Sequence, residues 1–203
     1  MKDILEFKIV DFSNALQAIE VQNSIFEEDG LLNILASLDY DLFISLTKMP
    51  YPDDHVKYYL AYYKDEPIGI TVFYYYPDYQ EEMWLAWFGI LPKYQRKGFG
   101  KKVLEWSINK VRLDGKKTLR LYTDETSMQD AVNLYKKMGF VGEKYTKEPL
   151  DYNCYIYSKS LSNEEVTLWN NRFLGLEDQS SFEREDREFK ERIFNIYKNN
   201  YIK

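Results

Sequence analysis

Residues 95–100, Gln95-Arg96-Lys97-Gly98-Phe99-Gly100, join an apolar, aromatic run of strand character (Met83 to Leu91) to an amphipathic helical run (Val103 to Leu113). A strand handing over to a helix through a basic glycine turn makes a cradle for a pyrophosphate. The N–H groups at a helix start have no acceptor within the helix, and the helix dipole favours an anion there. Gly98 and Gly100 let the backbone approach phosphate oxygens with no Cβ in the way. Arg96, Lys97, Lys101 and Lys102 add positive charge around the rim.

Two familiar phosphate loops fail on spacing. A Walker A loop needs a Gly where Gln95 stands and a Ser or Thr where Lys102 stands. A dinucleotide fingerprint needs a third Gly where Val103 stands. What remains is the pattern Gln/Arg-x-x-Gly-x-Gly/Ala, which by itself could also be an ordinary basic turn opening a surface helix. A second element follows about thirty residues on, Ala131-Val132-Asn133-Leu134-Tyr135-Lys136-Lys137-Met138-Gly139-Phe140. Ala131, Leu134, Tyr135 and Met138 share one helical face. Gly139 suits the left-handed position that ends a helix, and Phe140 then starts a strand. Taken alone, Tyr135 would be an ordinary core tyrosine.

The hexapeptide resembles the acyl-CoA loop of the GNAT-type N-acetyltransferases, and the second element resembles that family's helix ending in Leu-Tyr-x-x-x-Gly-Phe. The order of elements is similar too. Leu5–Val10 reads as a strand, Ser13–Glu28 and Leu31–Leu38 as helices, and 43–54 as a Pro-broken loop. Tyr58–Tyr63, Ile68–Tyr76 and Glu82–Leu91 form an antiparallel meander. A helix over 99–113, a strand over Lys117–Tyr122, the Tyr135 helix, and strands over Phe140–Thr146 and Tyr152–Ser158 complete the series. The expected fold is therefore α/β (α+β): a mixed, mostly antiparallel central sheet of about seven strands flanked by helices. The resemblance runs from about Leu5 to Leu161 and is strongest from Trp84 to Tyr145, so residues 1–161 are expected to form the acyl-CoA N-acyltransferase (GNAT-like) domain. Residues 162–203 are expected to form a helical extension, with helices over Glu164–Phe173 and Phe182–Tyr201. The second helix could pack on its own core, mediate dimerisation or border the substrate cleft.

The resemblance implies acetyl-CoA as co-substrate, a primary amine (small molecule or peptide) as acceptor, a possible homodimer and no metal. It implies that the Trp87–Leu91 strand splays from its neighbour, so that Ile90 and Leu91 meet the pantetheine and the Ile90 N–H faces the thioester oxygen. Gln95, Arg96, Lys97, Gly98, Phe99, Gly100 and Lys101 would hold the pyrophosphate. Ala131 and Leu134 would line the cofactor side of their helix, and Tyr135 would give its phenol proton to the leaving sulfur. The chain departs from the family at two positions. Trp84 stands where some members carry a Glu, leaving Glu82 and Glu125 as candidate bases acting through water. Met128 stands where Asn is common. These departures keep open an alternative, a non-catalytic acyl-CoA-binding regulatory domain.

Charge and composition narrow the partners. The net charge of −6 argues against bulk nucleic-acid binding. Residues 93–120 nevertheless carry ten Lys/Arg against two acids, while residues 1–92 carry sixteen acids against five Lys/Arg. This asymmetry fits an anionic cofactor beside a cationic or amine acceptor; Glu27, Glu28, Asp29, Asp39, Asp41, Asp53 and Asp54 supply acids on the acceptor side. No apolar run approaches the ~20 residues of a membrane span, and the N-terminus carries acids where a signal peptide is apolar. The single cysteine, Cys154, excludes an internal disulfide framework, so a reduced, cytoplasmic setting is expected. Cys154 reads as a small buried hydrophobe. His55, the only histidine, falls in the loop before the meander.

Overall fold

The structure is a computed structural model describing residues 4–26, 30–47, 55–146, 154–170, 172 and 187–201. Seven strands form one sheet in the order β1-β2-β3-β4-β5-β7-β6. Their ranges are β1 Glu6–Ile9, β2 Lys57–Tyr63, β3 Glu66–Tyr74, β4 Glu82–Ile90, β5 Thr118–Asp124, β6 Val141–Lys144 and β7 Cys154–Ser160. Every neighbouring pair is antiparallel except β4 and β5. The helices are α1 Ala15–Phe26, α2 Gly30–Leu38, α3 Tyr40–Thr47, α4 Phe99–Leu113, α5 Gln129–Lys137 and α6 Arg187–Tyr201.

Strand alternation sorts the side chains into two cores. On one face Phe73, Met83, Leu85, Leu119 and Tyr157 meet Leu104, Ile108 and Val111 of α4 and Val132 and Tyr135 of α5. On the other, Tyr58, Leu60, Ile70 and Val72 meet α1 and α2. α6 joins this second core: Ile193 is 1 % exposed within it, and Ile196 and Tyr197 pack alongside. The last helix therefore packs on its own chain.

Two element assignments are corrected. The 43–54 stretch opens inside a helix, α3. Asp39 starts it by accepting the Leu42 N–H at 2.9 Å, and buried Leu42 anchors it; residues 48–54, with Asp53, Asp54, Pro50 and Pro52, lie outside the described residues, as do Glu27, Glu28 and Asp29. Of the helix expected over Glu164–Phe173, residues 164–170 and 172 form an irregular strap instead, and residues 171 and 173 lie outside the described residues. Its backbone is tied to tertiary partners: Glu143 accepts the N–H groups of Trp169 and Asn170, and Arg120 donates to the Thr167 carbonyl. Helical spacing there was real, but these groups could not serve both a helix and the sheet. Of the second C-terminal helix, residues 182–186 lie outside the described part.

Candidate active site

β4 is paired on its β3 side along its length, from Tyr74↔Trp84 to Gly69↔Ile90. On its β5 side it pairs only at Glu82↔Thr118, Met83↔Leu119 and Trp84↔Arg120. Beyond Trp84 the two strands part, leaving one edge of residues 85–90 open. A register shift opposite Thr71–Phe73 places one extra β4 residue there, the mark of a β-bulge. The bulge changes the alternation, so Met83 and Leu85 below it and Phe88 and Ile90 above it all pack toward the α4 and α5 side. The Leu91 N–H bonds the Ile68 carbonyl at 2.8 Å. Successive residues address opposite edges, so the Ile90 N–H faces the opening. Gly69 permits this packing: a Cβ there would lie 2.6 Å from both the Gly89 oxygen and Ile90 Cδ1.

The basic loop is tied to the end of this strand. Lys93 and Tyr94, in the turn after Leu91, both donate to Glu66 at the start of β3. The Gln95 side-chain amide turns back to the Ile90 carbonyl at 2.9 Å. Lys97 Nζ donates to the Lys93 carbonyl at 2.8 Å. Arg96 (φ +57°) and Gly98 (φ +82°) both take the left-handed conformation, which is unfavourable for a β-carbon-bearing residue such as Arg96. The first helical bond of α4 runs from the Lys102 N–H to the Gly98 carbonyl, so the N–H groups of Phe99, Gly100 and Lys101 have no acceptor within the helix. The Phe99 ring is buried against Tyr63 and Tyr94, leaving its backbone to the loop surface. Arg96 reaches Asp130 at 3.8 Å and Lys101 reaches Glu105 at 3.6 Å, both in exposed pairs. A Cβ on Gly100 would lie 3.8 Å from Leu134 and 3.9 Å from Ile90. Strand, loop and second helix thus converge at one point.

α5 begins from β5. Asp124 accepts the Thr126 and Ser127 N–H groups and so shapes the turn, while Met128 occupies the N-cap with a half-exposed side chain. Ala131 and Leu134 are partly buried against the core. Tyr135, 6 % exposed, packs its ring among Phe88, Phe140 and Tyr157, with centroids 5.8–6.2 Å away. Burial pushes its phenol well above the ordinary tyrosine range. Gly139 (φ +78°) ends the helix, and the Phe140 N–H returns to the Tyr135 carbonyl at 3.1 Å.

The two carboxylates lie apart. Glu125 accepts Lys136 Nζ at 2.7 Å and the Tyr157 hydroxyl at 2.5 Å. Those bonds hold its carboxyl below the usual range, and Tyr157 links it to the Tyr135 cluster. Glu82 sits at the other end of β4, roughly 25 Å from Ile90 at ~3.3 Å per residue. Burial works to raise its carboxyl, but the hydrogen bonds and charges of Arg120 and Arg172 outweigh burial and hold it low. His55 is buried beside Tyr40 and Phe43. Cys154 is buried too, its thiol pushed up to about 11 by burial and by Asp124. Glu66, Arg120, Tyr157 and Arg172 were missed from sequence. Only Arg120 left a signal there, as a cation between Leu119 and Leu121 in a strand.

The opened strand, the glycine loop at a helix start and the tyrosine helix together define an acyl-CoA transferase architecture. Residues 24–140 match the family model described as Acetyltransferase (GNAT) family, and the chain belongs to that family. Solved structures share the fold. One is a putative GNAT-family acetyltransferase from Desulfovibrio desulfuricans (20% identity, TM-score 0.62), aligned over 78% of this chain and 100% of that one. Another is the ribosomal-protein-S18-alanine N-acetyltransferase from Escherichia coli (16% identity, TM-score 0.58, 82% and 99%). A third is a GNAT family acetyltransferase from Elizabethkingia anophelis with acetyl-CoA bound (18% identity, TM-score 0.58, 78% and 99%). No curated protein matches the chain.

Proposed function

We propose that this chain transfers an acetyl group from acetyl-CoA to a primary amine by direct attack on the thioester. The observation that carries this reading is the convergence of Ile90, Gly100 and Leu134 where β4 leaves β5. The pyrophosphate would lie on the free N–H groups of Phe99, Gly100 and Lys101, with Arg96, Lys97 and Lys101 supplying charge and Gln95 locking the loop to β4. The pantetheine would pair with the open edge at Ile90, between Ala131, Leu134 and the half-exposed Met128; Leu91 turns to β3 instead, its N–H on the Ile68 carbonyl and its own carbonyl accepting the Tyr94 N–H. The Ile90 N–H would polarise the thioester carbonyl.

The amine nitrogen attacks the carbonyl carbon, the carbon–sulfur bond breaks, and the sulfur takes a proton from the Tyr135 phenol. The phenol is restored from solvent and the amine proton leaves to water. Glu82 and Glu125 are both held ionised by cations, which makes each a weak base. Glu125, linked through the Tyr157 hydroxyl to the ring that packs on Tyr135, is the better-placed candidate; Glu82 is too distant along the strand.

Thermal unfolding with acetyl-CoA, CoA and ATP tests the cofactor assignment. At ~100 times its Kd a ligand adds about 2.7 kcal/mol, a rise of several degrees for a chain of this size. A rise with both CoA forms and none with ATP is expected; no rise with either CoA form would refute the assignment.

A further inference from the structure

Among the described residues, one buried cluster of charges lies away from the converging loop and strand, at the apex of the β4–β5 opening. Arg120, 0 % exposed, donates to Glu82 Oε2 at 2.8 Å and Oε1 at 2.9 Å across the last paired rungs of the two strands. Its remaining nitrogen donates to Ser158 on β7 at 2.5 Å and to the Thr167 carbonyl of the strap at 2.8 Å. Arg172 completes the group, donating to both Glu82 oxygens at 2.8 and 3.2 Å. Its guanidinium lies 3.7 Å from the Trp169 ring centroid and 4.2 Å from that of Tyr79. Glu143 on β6 accepts the Trp169 and Asn170 N–H groups. The strap is thereby fixed to β4, β5, β6 and β7 together.

We infer that residues 162–170, with Arg172, are a brace that sets the angle at which β4 and β5 diverge, and that Arg172 is a positioning residue for cofactor binding through Glu82 and Arg120. The inference rests on the reading that the opening accepts acetyl-CoA. Well-packed apolar residues would serve stability about as well as a buried ion cluster; bidentate guanidinium pairs add fixed geometry. Leverage makes that geometry matter. Ile90 lies six residues beyond Trp84, roughly 20 Å at ~3.3 Å per residue, so a tilt of about 5° at the apex moves the Ile90 N–H by roughly 2 Å. A misplacement of ~1 Å is enough to spoil a positioned contact. Residues 162–172 lie outside the span matched by the family model, while Glu82 and Arg120 lie within it.

Calorimetric titration of CoA into the full-length protein tests this, using wild type, Arg172→Leu and Arg172→Lys, with urea midpoints measured in parallel. At 25 °C, for protein that the urea curves show to be folded, Arg172→Leu should weaken CoA binding about tenfold, within the range for residues that act without touching the ligand. Arg172→Lys, which keeps one cation beside Glu82, should fall between. A Kd equal to wild type in Arg172→Leu, whatever its urea midpoint, would overturn the brace, since a stabilising role alone leaves the Kd of folded protein unchanged. If Arg172→Leu does not fold, a wild-type Kd in Arg172→Lys overturns the brace in its place. Failure of wild type to bind CoA would instead remove the cofactor reading, and the brace with it.

Discussion

Replacing Glu82 by Gln keeps the shape of the side chain and removes its charge. Arg120 is 0 % exposed, and Glu82 itself is only 14 % exposed in its side chain. Four hydrogen bonds from two guanidinium groups converge on the two carboxylate oxygens. Gln offers one acceptor and turns an N–H donor toward N–H donors. Breaking a buried ion pair by removing one partner costs ~3–5 kcal/mol; the residual exposure of Glu82 puts the expected loss at the lower end, about 3 kcal/mol. For a chain of this size that corresponds to a fall in Tm on the order of 10 °C. Urea unfolding across a pH series supplies the sharper test. Glu82 is held below its ordinary value of 4.5 in the folded protein, so its stabilisation is complete above that value and lost as pH falls through the folded pKa. Protonated Glu82 is close to Gln. Wild type and Glu82→Gln should therefore differ by a constant amount above about pH 5 and converge below it. A difference under about 1 kcal/mol at pH 7, or one that persists unchanged in acid, would refute the buried-pair account.

Two further substitutions address the proposed chemistry and the groove. Tyr135→Phe should bind CoA as wild type does and lose ~10²–10⁴ in kcat, as expected for removal of a general acid; unchanged thiol release with an amine that wild type accepts would rule out Tyr135 as the donor. Gly69→Ala would set a Cβ 2.6 Å from the Gly89 oxygen and from Ile90 Cδ1. It should destabilise by ~1–3 kcal/mol and weaken CoA binding by moving the strand that carries Ile90. Thermal unfolding and calorimetry would read both effects, and wild-type values in both would show that β4 tolerates the displacement.

What could be read from the residues alone depended on how far each signal reaches along the chain. The strand–loop–helix at 83–113 and the helix ending at Gly139 were legible because helix spacing, left-handed glycines and N-terminal N–H groups are local properties. The meander was legible for the same reason, its strands being joined by short turns. The Pro-broken stretch concealed α3, since Pro50 and Pro52 signal an end without showing how close before it a helix runs. The strap was misread because helical periodicity is also satisfied by side chains that tertiary partners claim.

The sequence by itself thus determined the family-like order of elements, the glycine loop proposed to hold the pyrophosphate and the candidate proton donor, all encoded in runs of a dozen residues or fewer. Only the tertiary structure decided where β4 leaves β5, because strand divergence depends on which rungs are held and not on either strand's own pattern. It also decided the position of Glu82. Its partners Arg120 and Arg172 stand 38 and 90 residues away, and a carboxylate with a free face and one locked between two guanidinium groups look the same in a linear chain. Burial did the rest: Phe88, Phe140 and Tyr157 close around the Tyr135 ring, and that enclosure exists only once three separate segments have packed together.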